Sequence, residues 1–126
     1  MKVENIKFKA KRLDNGEWII GSFVVMKIPA LSKTTIGIVE AGNATLHEID
    51  PSTVCQFTGL KDCEGKEIWE GDIVEREIYD LFKGSAKVKA VIEYLDGAFV
   101  AITDGIPYSL YFKYITVIGN KFDKEK

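Results

Sequence analysis

Only two cysteines and one histidine occur among the 126 residues. Cys55 and Cys63 stand apart from any further Cys or His, which argues against a disulfide framework and against a zinc site. His47, beside Glu48, reads as a surface or turn residue, so His-dependent hydrolysis is not expected. Long apolar runs are also missing. The longest weakly charged stretch, from Trp18 to Met26, is too short to cross a bilayer, and M-K-V-E-N-I-K-F-K-A at the N-terminus lacks the apolar core and cleavage site of a signal peptide. No membrane association is expected, and two free thiols fit a cytoplasmic setting.

An excess of charge of one sign is missing as well. A net charge of -2 argues against a surface that grips phosphates all over. The basic residues do gather at the ends, with Lys2, Lys7, Lys9, Lys11 and Arg12 at one and Lys121, Lys124 and Lys126 at the other. Catalytic motifs are wanting: Ser22, Ser85 and Ser109 sit in no nucleophile elbow, and no Gly-Lys-Ser/Thr phosphate loop occurs. Asp62, Glu64, Glu67, Glu70 and Asp72 crowd one region without EF-hand spacing, and read as solvated turn carboxylates, Asp72 bonding its own turn. A nucleophilic Cys needs a positive neighbour, which Cys63 lacks. No catalytic residue, metal or cofactor is expected, and the chain reads as a non-enzyme.

What is present is strand pattern and turn chemistry. Ile6 to Lys11 alternates apolar and basic residues, a half-buried strand with Lys7, Lys9 and Lys11 on its wet face. Asp14-Asn15-Gly16 makes a hairpin turn into a β-rich strand from Glu17 to Met26, in which Gly21 hints at a bulge or a close backbone approach. Ser32 to Thr35 reads as polar loop, Thr35 to Glu40 as a returning strand, Gly42-Asn43 as a turn and Leu46 to Ile49 as a short strand. The first 50 residues are thus a meander of three or four strands.

The stretch Ile49 to Val74, I-D-P-S-T-V-C-Q-F-T-G-L-K-D-C-E-G-K-E-I-W-E-G-D-I-V, is the most heavily punctuated. Asp50-Pro51 suits a capped turn, Val54 to Thr58 a strand ended by Gly59, Gly65 a left-handed turn, Glu67 to Trp69 an extended step, and Gly71-Asp72 the entry to a strand from Ile73 to Tyr79. Leu81 to Ala86 reads as a loop, Lys87 to Tyr94 alternates, and Asp96-Gly97 and Asp104-Gly105 turn the chain around a strand from Ala98 to Thr103. Tyr108 to Phe112 is a strand or helical turn, and Tyr114 to Gly119 closes the sheet. The fold expected is mainly β, an antiparallel meander leading into a small SH3-like barrel of five or six short strands, with at most short helical turns. Residues 1–126 read as a single domain: meander to about residue 50, hinge stretch 49–74, small barrel from about 70 to 120. Gly59, Gly65 and Gly71 would set turns in the hinge, and Val54, Phe57, Leu60, Ile68, Trp69 and Ile73 would supply a shared core.

That central run, together with I-K-F-K-A, W-I-I-G-S-F, Gly97-Ala98-Phe99 and the closing V-I-G-N-K-F-D, resembles the YopX protein family of phages and prophages over nearly the whole chain. The segments Lys27 to Leu46 and Tyr79 to Lys87 have no counterpart. The resemblance implies a small β protein of bacterial hosts without an established activity, and brings no catalytic residue. Asp50, Pro51, Gln56, Phe57, Thr58, Gly59, Leu60, Asp62, Gly65, Ile68, Trp69, Gly71 and Asp72 are the residues of the matching motif. A binding surface is expected at Lys7, Lys9 and Lys11, or at Tyr111, Lys113 and Tyr114, where aromatic and basic residues interleave. The leading functional expectation is an interaction module that binds a protein partner or itself; the second is nucleic-acid binding through the small barrel; the third is an enzyme using the acidic cluster with a divalent ion.

Overall fold

The Asn15-Gly16 turn does what its residues require: Gly16 takes φ 72°, and Asn15 Oδ1 accepts from Glu17 N at 2.9 Å. It joins β1 (Phe8–Lys11) to β2 (Trp18–Ile28) in an antiparallel pair that matches Phe8 with Gly21 and Lys11 with Trp18. In the computed structural model, residues 2–82, 84–108 and 115–123 are described, with the backbone alone at 78–80. Among these residues the strands form two antiparallel sheets and the helical content is three single 3-10 turns, so the fold is mainly β as expected. Eleven strands lie among the described residues, several of them only three residues long. The chain divides into two units, Met1–Phe57 and Thr58–Lys126.

In the first unit β2 continues past a 3-10 turn, Pro29–Leu31, into β3 (Lys33–Glu40), and β4 (Leu46–Glu48) follows the turn at Gly42-Asn43. The strand order β4-β3-β2-β1 is the meander read from the sequence. Lys33 and Thr34 are strand, however, and not loop: β2 and β3 form a long ribbon whose outer half is exposed, so no apolar alternation betrays it. Gly21 is required by closeness, since a Cβ there would collide with the carbonyl of Val39. Ala10, Ile19, Ile38 and Ile49 form the buried core, with Phe8, Ile36 and Val54 packed against it. Each fully buried Ile contributes about 1.5–3 kcal/mol of transfer free energy.

β5 (Cys55–Lys61) passes through the division between the units. It does not stop at Gly59, which takes φ 86° inside the strand. The second unit holds β6 (Glu67–Trp69) and a five-stranded sheet of β7 (Asp72–Asp80), β8 (Gly84–Leu95), β9 (Ala98–Thr103), β10 (Ile106–Tyr108) and β11 (Ile115–Asn120), ordered β10-β9-β8-β7-β11. Residues Gly84 to Ala86, expected as loop, belong to β8 and pair with β7. Asp96-Gly97 and Asp104-Gly105 each take two successive positive φ values, the geometry of tight hairpin turns. Ile68, Val74, Ala90, Ile92, Ala101, Ile115 and Val117 form this unit's core, with Leu60 and Phe99 against it. No helix among the described residues is long and apolar enough to cross a membrane.

Candidate functional site

Strand alternation sends Ala10 into the core of the first unit and turns Lys9 and Lys11 to the other face. There the register places Lys11 opposite Trp18 and Lys9 opposite Ile20. Lys9 Nζ lies 4.7 Å and Lys11 Nζ 5.4 Å from the centre of the Trp18 ring, and Lys7 Nζ lies 4.7 Å from that of Phe57. The three expected lysines are therefore half-buried, their stems laid along aromatic surface and their ammonium groups attracted to ring faces. Such a face offers anions positive charge backed by an aromatic ring. Tyr111, Lys113 and Tyr114 lie outside the described residues.

The residues of the central motif fall on both sides of the division. Asp50 Oδ1 accepts from Ser52 N at 3.0 Å and Ser52 Oγ at 2.8 Å, and Pro51 opens the 3-10 turn Pro51–Thr53, the capped turn read from the sequence. Thr53 is buried, donating to Asp50 O at 2.7 Å and accepting from Lys11 N at 2.9 Å. Gln56 sits across from Phe8, and Phe57 N donates to Lys7 O at 3.0 Å. In the second unit Thr58 Oγ1 donates to Ile68 O at 2.7 Å, tying β5 to β6, and Gly65 and Gly71 take φ values of 83° and 84°. Val54 packs on the first unit's core, whereas Leu60 and Ile68 belong to the second.

Two of the acidic residues are not solvated. Asp62 is 4% exposed and accepts from Glu64 N and Lys66 N through Oδ1 and from Val117 N through Oδ2, each at 2.9 Å. Cys63 N donates to Ile115 O at 3.2 Å, so the turn after β5 covers the outer edge of β11. Burial alone would raise the Asp62 carboxyl; the amides of Val117, Lys66 and Glu64, with the Lys66 charge, outweigh it and hold the pKa below the usual value. Asp72, 2% exposed, accepts from Trp69 N at 2.8 Å, the bond to its own turn, and from Asn120 Nδ2 at 3.0 Å. Asn120 in turn accepts from Phe122 N at 2.9 Å, and its N–H donates to Asp123 Oδ2 at 2.9 Å. These carboxylates are spent on backbone amides, a structural use.

Elsewhere the reactive side chains are scattered. Cys55 is buried with Sγ 3.3 Å from Thr53 O, and Cys63 is exposed with Sγ 3.4 Å from Thr116 Oγ1. His47 Nε2 lies 3.4 Å from Glu40 Oε2; the Asn43 amide above all, and His47 after it, hold that carboxyl below its usual value. Among the described residues no three His, Cys, Asp or Glu side chains converge on a metal-sized site.

Sequence reasoning passed over three features of the second unit. Leu81 and Phe82, at the turn of the β7–β8 ribbon, are 84% and 96% exposed. The Arg76 guanidinium lies 4.0 Å from the centre of the Tyr108 ring, and its buried Nε has no hydrogen-bond partner among the described residues. A groove of about 540 Å³ is lined by Val91, Glu93, Tyr94, Leu95, Ile102 and Lys121, with Lys121 Nζ 3.0 Å from Glu93 Oε1. Adjacent large apolar residues in a loop were the one signal available for Leu81 and Phe82. The other two features depend on cross-strand register.

The chain matches no curated protein. Among solved structures it is similar to protein EF1440 from Enterococcus faecalis, at 23% identity and a TM-score of 0.52, over 91% of this chain and 92% of that one, a likeness of fold. The model of the YopX protein family matches residues 7–125, and the chain belongs to that family.

Proposed function

We propose that this YopX protein is a non-enzymatic, β-rich interaction module, carried by phages or prophages and working in the bacterial cytoplasm, that binds a protein partner or itself. The observation that carries this reading is the exposure of Leu81 and Phe82, at 84% and 96%, at the end of a two-stranded ribbon. Large apolar side chains held out on a ribbon are costly to solvate and gain free energy when a partner covers them. The strand order β11-β7-β8-β9-β10 supports a small SH3-like barrel as the scaffold, a likeness of architecture that carries no activity by itself. Light scattering after size exclusion and a pull-down from host cells, on the wild type and on Leu81→Ser with Phe82→Ser, test it. Loss of a captured partner in the double variant is expected; a monomeric wild type that retains nothing would overturn it.

Nucleic-acid binding is the second reading, supported by Lys9 and Lys11 over Trp18. It requires binding of single- or double-stranded oligonucleotides that weakens as salt rises and is lost in Lys9→Ala with Lys11→Ala. Binding that does not respond to salt or to these lysines would sink it.

A further inference from the structure

Among the described residues, the outer half of β2 has a strand partner on one side alone. Its ladder with β1 ends at Phe8 and Gly21, and the chain ahead of Phe8 leaves the ladder for the 3-10 turn Val3–Asn5. With β3, pairing continues from Gly21 to Ile28. Which polar groups face outward follows from two hydrogen bonds. Ile20 O accepts from Ala41 N at 3.4 Å, so even-numbered β2 residues address β3. Ile36 O accepts from Ile49 N at 3.2 Å, on the far side of β3; its partner Val25 is therefore in a non-hydrogen-bonded pair and turns its own N–H and C=O away from β3. Phe23, Val25 and Lys27 thus present their backbone groups along an edge with no strand partner among the described residues.

That edge carries little of the usual protection. No Pro lies between Ser22 and Ile28, Lys27 is the one charge there, and Phe23, Val25 and Met26 are 37%, 51% and 44% exposed. Its sequence is also self-complementary. Antiparallel pairing about a two-fold axis at Val25 sets Val25 against Val25, Val24 against Met26, and Phe23 against Lys27, where the ammonium can lie on the ring instead of meeting a like charge. All three outward-facing residues then fall in hydrogen-bonded pairs, a ladder of about six bonds. Phe23 and Val25 share the face of Ile19 and Gly21, so the exposed apolar row of one copy continues into that of the other.

We infer that the occupant of this edge is a second copy of the chain, joined β2 to β2 as an antiparallel, two-fold pair. The inference rests on the interaction-module reading and names its partner. At about 100 µM, light scattering should give twice the chain mass of 14.1 kDa. Val25→Pro should give the single mass with an unchanged circular-dichroism spectrum, because the N–H it removes points outward and Pro is tolerated on such an edge. As a second test, Val25→Cys with Cys63→Ser should form a disulfide-linked dimer on mild oxidation, since paired Cα atoms about 5.5 Å apart lie within disulfide reach. Val24→Cys in the same background should not. The Cys pair decides the matter if the Pro variant does not fold. A dimer that survives in folded Val25→Pro, or a Val25→Cys protein that does not cross-link, overturns the β2 pairing while the general reading stands. A monomeric wild type that captures a host protein overturns the second copy alone; a monomer that captures nothing overturns both.

Discussion

Two sheet edges of this chain are finished in opposite ways. At β11 the turn that follows β5 closes the edge: Cys63 N reaches Ile115 O, and the Asp62 carboxylate takes Val117 N together with the amides of Glu64 and Lys66. Along the outer half of β2 no such cover exists among the described residues, and Phe23, Val25 and Lys27 face out. A side-chain carboxylate can stand in for a missing strand, accepting N–H groups a neighbour would otherwise take, and it does so where the core beneath is already complete. Where apolar side chains are left exposed instead, the edge is available for pairing.

The largest effect should come from opening the closed edge. Asp62→Ala removes the acceptor of three amides; the Val117 N–H is left buried and unpaired at about 1–3 kcal/mol, while those of the exposed Glu64 and Lys66 can turn to water. Unfolding in urea, followed through Trp69 after Trp18→Phe, should show the second unit weakened by about 3 kcal/mol; an unchanged midpoint would mean the turn does not hold β11. Asn120→Ala, which strips Asp72 of its Nδ2 donor, should cost about 2 kcal/mol in the same assay.

Acid should act on the same edge more mildly. The folded pKa of Asp62 is lowered, so its contribution is fully present above the unfolded carboxylate value of about 3.9 and is lost as pH falls through the lowered folded value. Wild type should therefore lose stability below about pH 4 more steeply than Asp62→Asn, and parallel slopes would contradict this. The smallest effect belongs to the open edge. Val25→Lys, on a half-exposed site beyond the core, should change monomer stability by no more than about 0.5 kcal/mol while abolishing self-association.

The meander of β1 to β4 was legible in the sequence because its faces alternate and Asn15-Gly16 permits one tight turn. The hairpins at Asp96-Gly97 and Asp104-Gly105 were legible for the same reason. Two ribbon ends were not: Lys33 and Thr34, and Gly84 to Ala86, are exposed on both faces, so they carry the composition of loop and the backbone of strand. Gly59 looked like a stop because a positive φ usually ends a strand, yet β5 absorbs it and runs on to Lys61. Of the candidate site, the row of Lys7, Lys9 and Lys11 could be read directly. Their seating on Trp18 and Phe57 could not, since it needs the register of β1 against both neighbours. Asp62 and Asp72 looked solvated because a turn Asp has the same local sequence wet or dry. Only Val117 and Asn120, roughly fifty residues away, distinguish the two.

The Asp62 turn also has a consequence in time. β8, β9 and β10 are joined by two-residue turns, and such hairpins form within about 1–10 μs. β11 must instead come back to β7 from the far end of the second unit, a distant closure of the kind that slows folding. Asp62 can engage Val117 only after that closure, so this bond, unlike the local ones to Glu64 and Lys66, belongs to the last stage of assembly. Losing it should leave the folding rate nearly unchanged and speed unfolding, making this one carboxylate a brake on the way out of the native state.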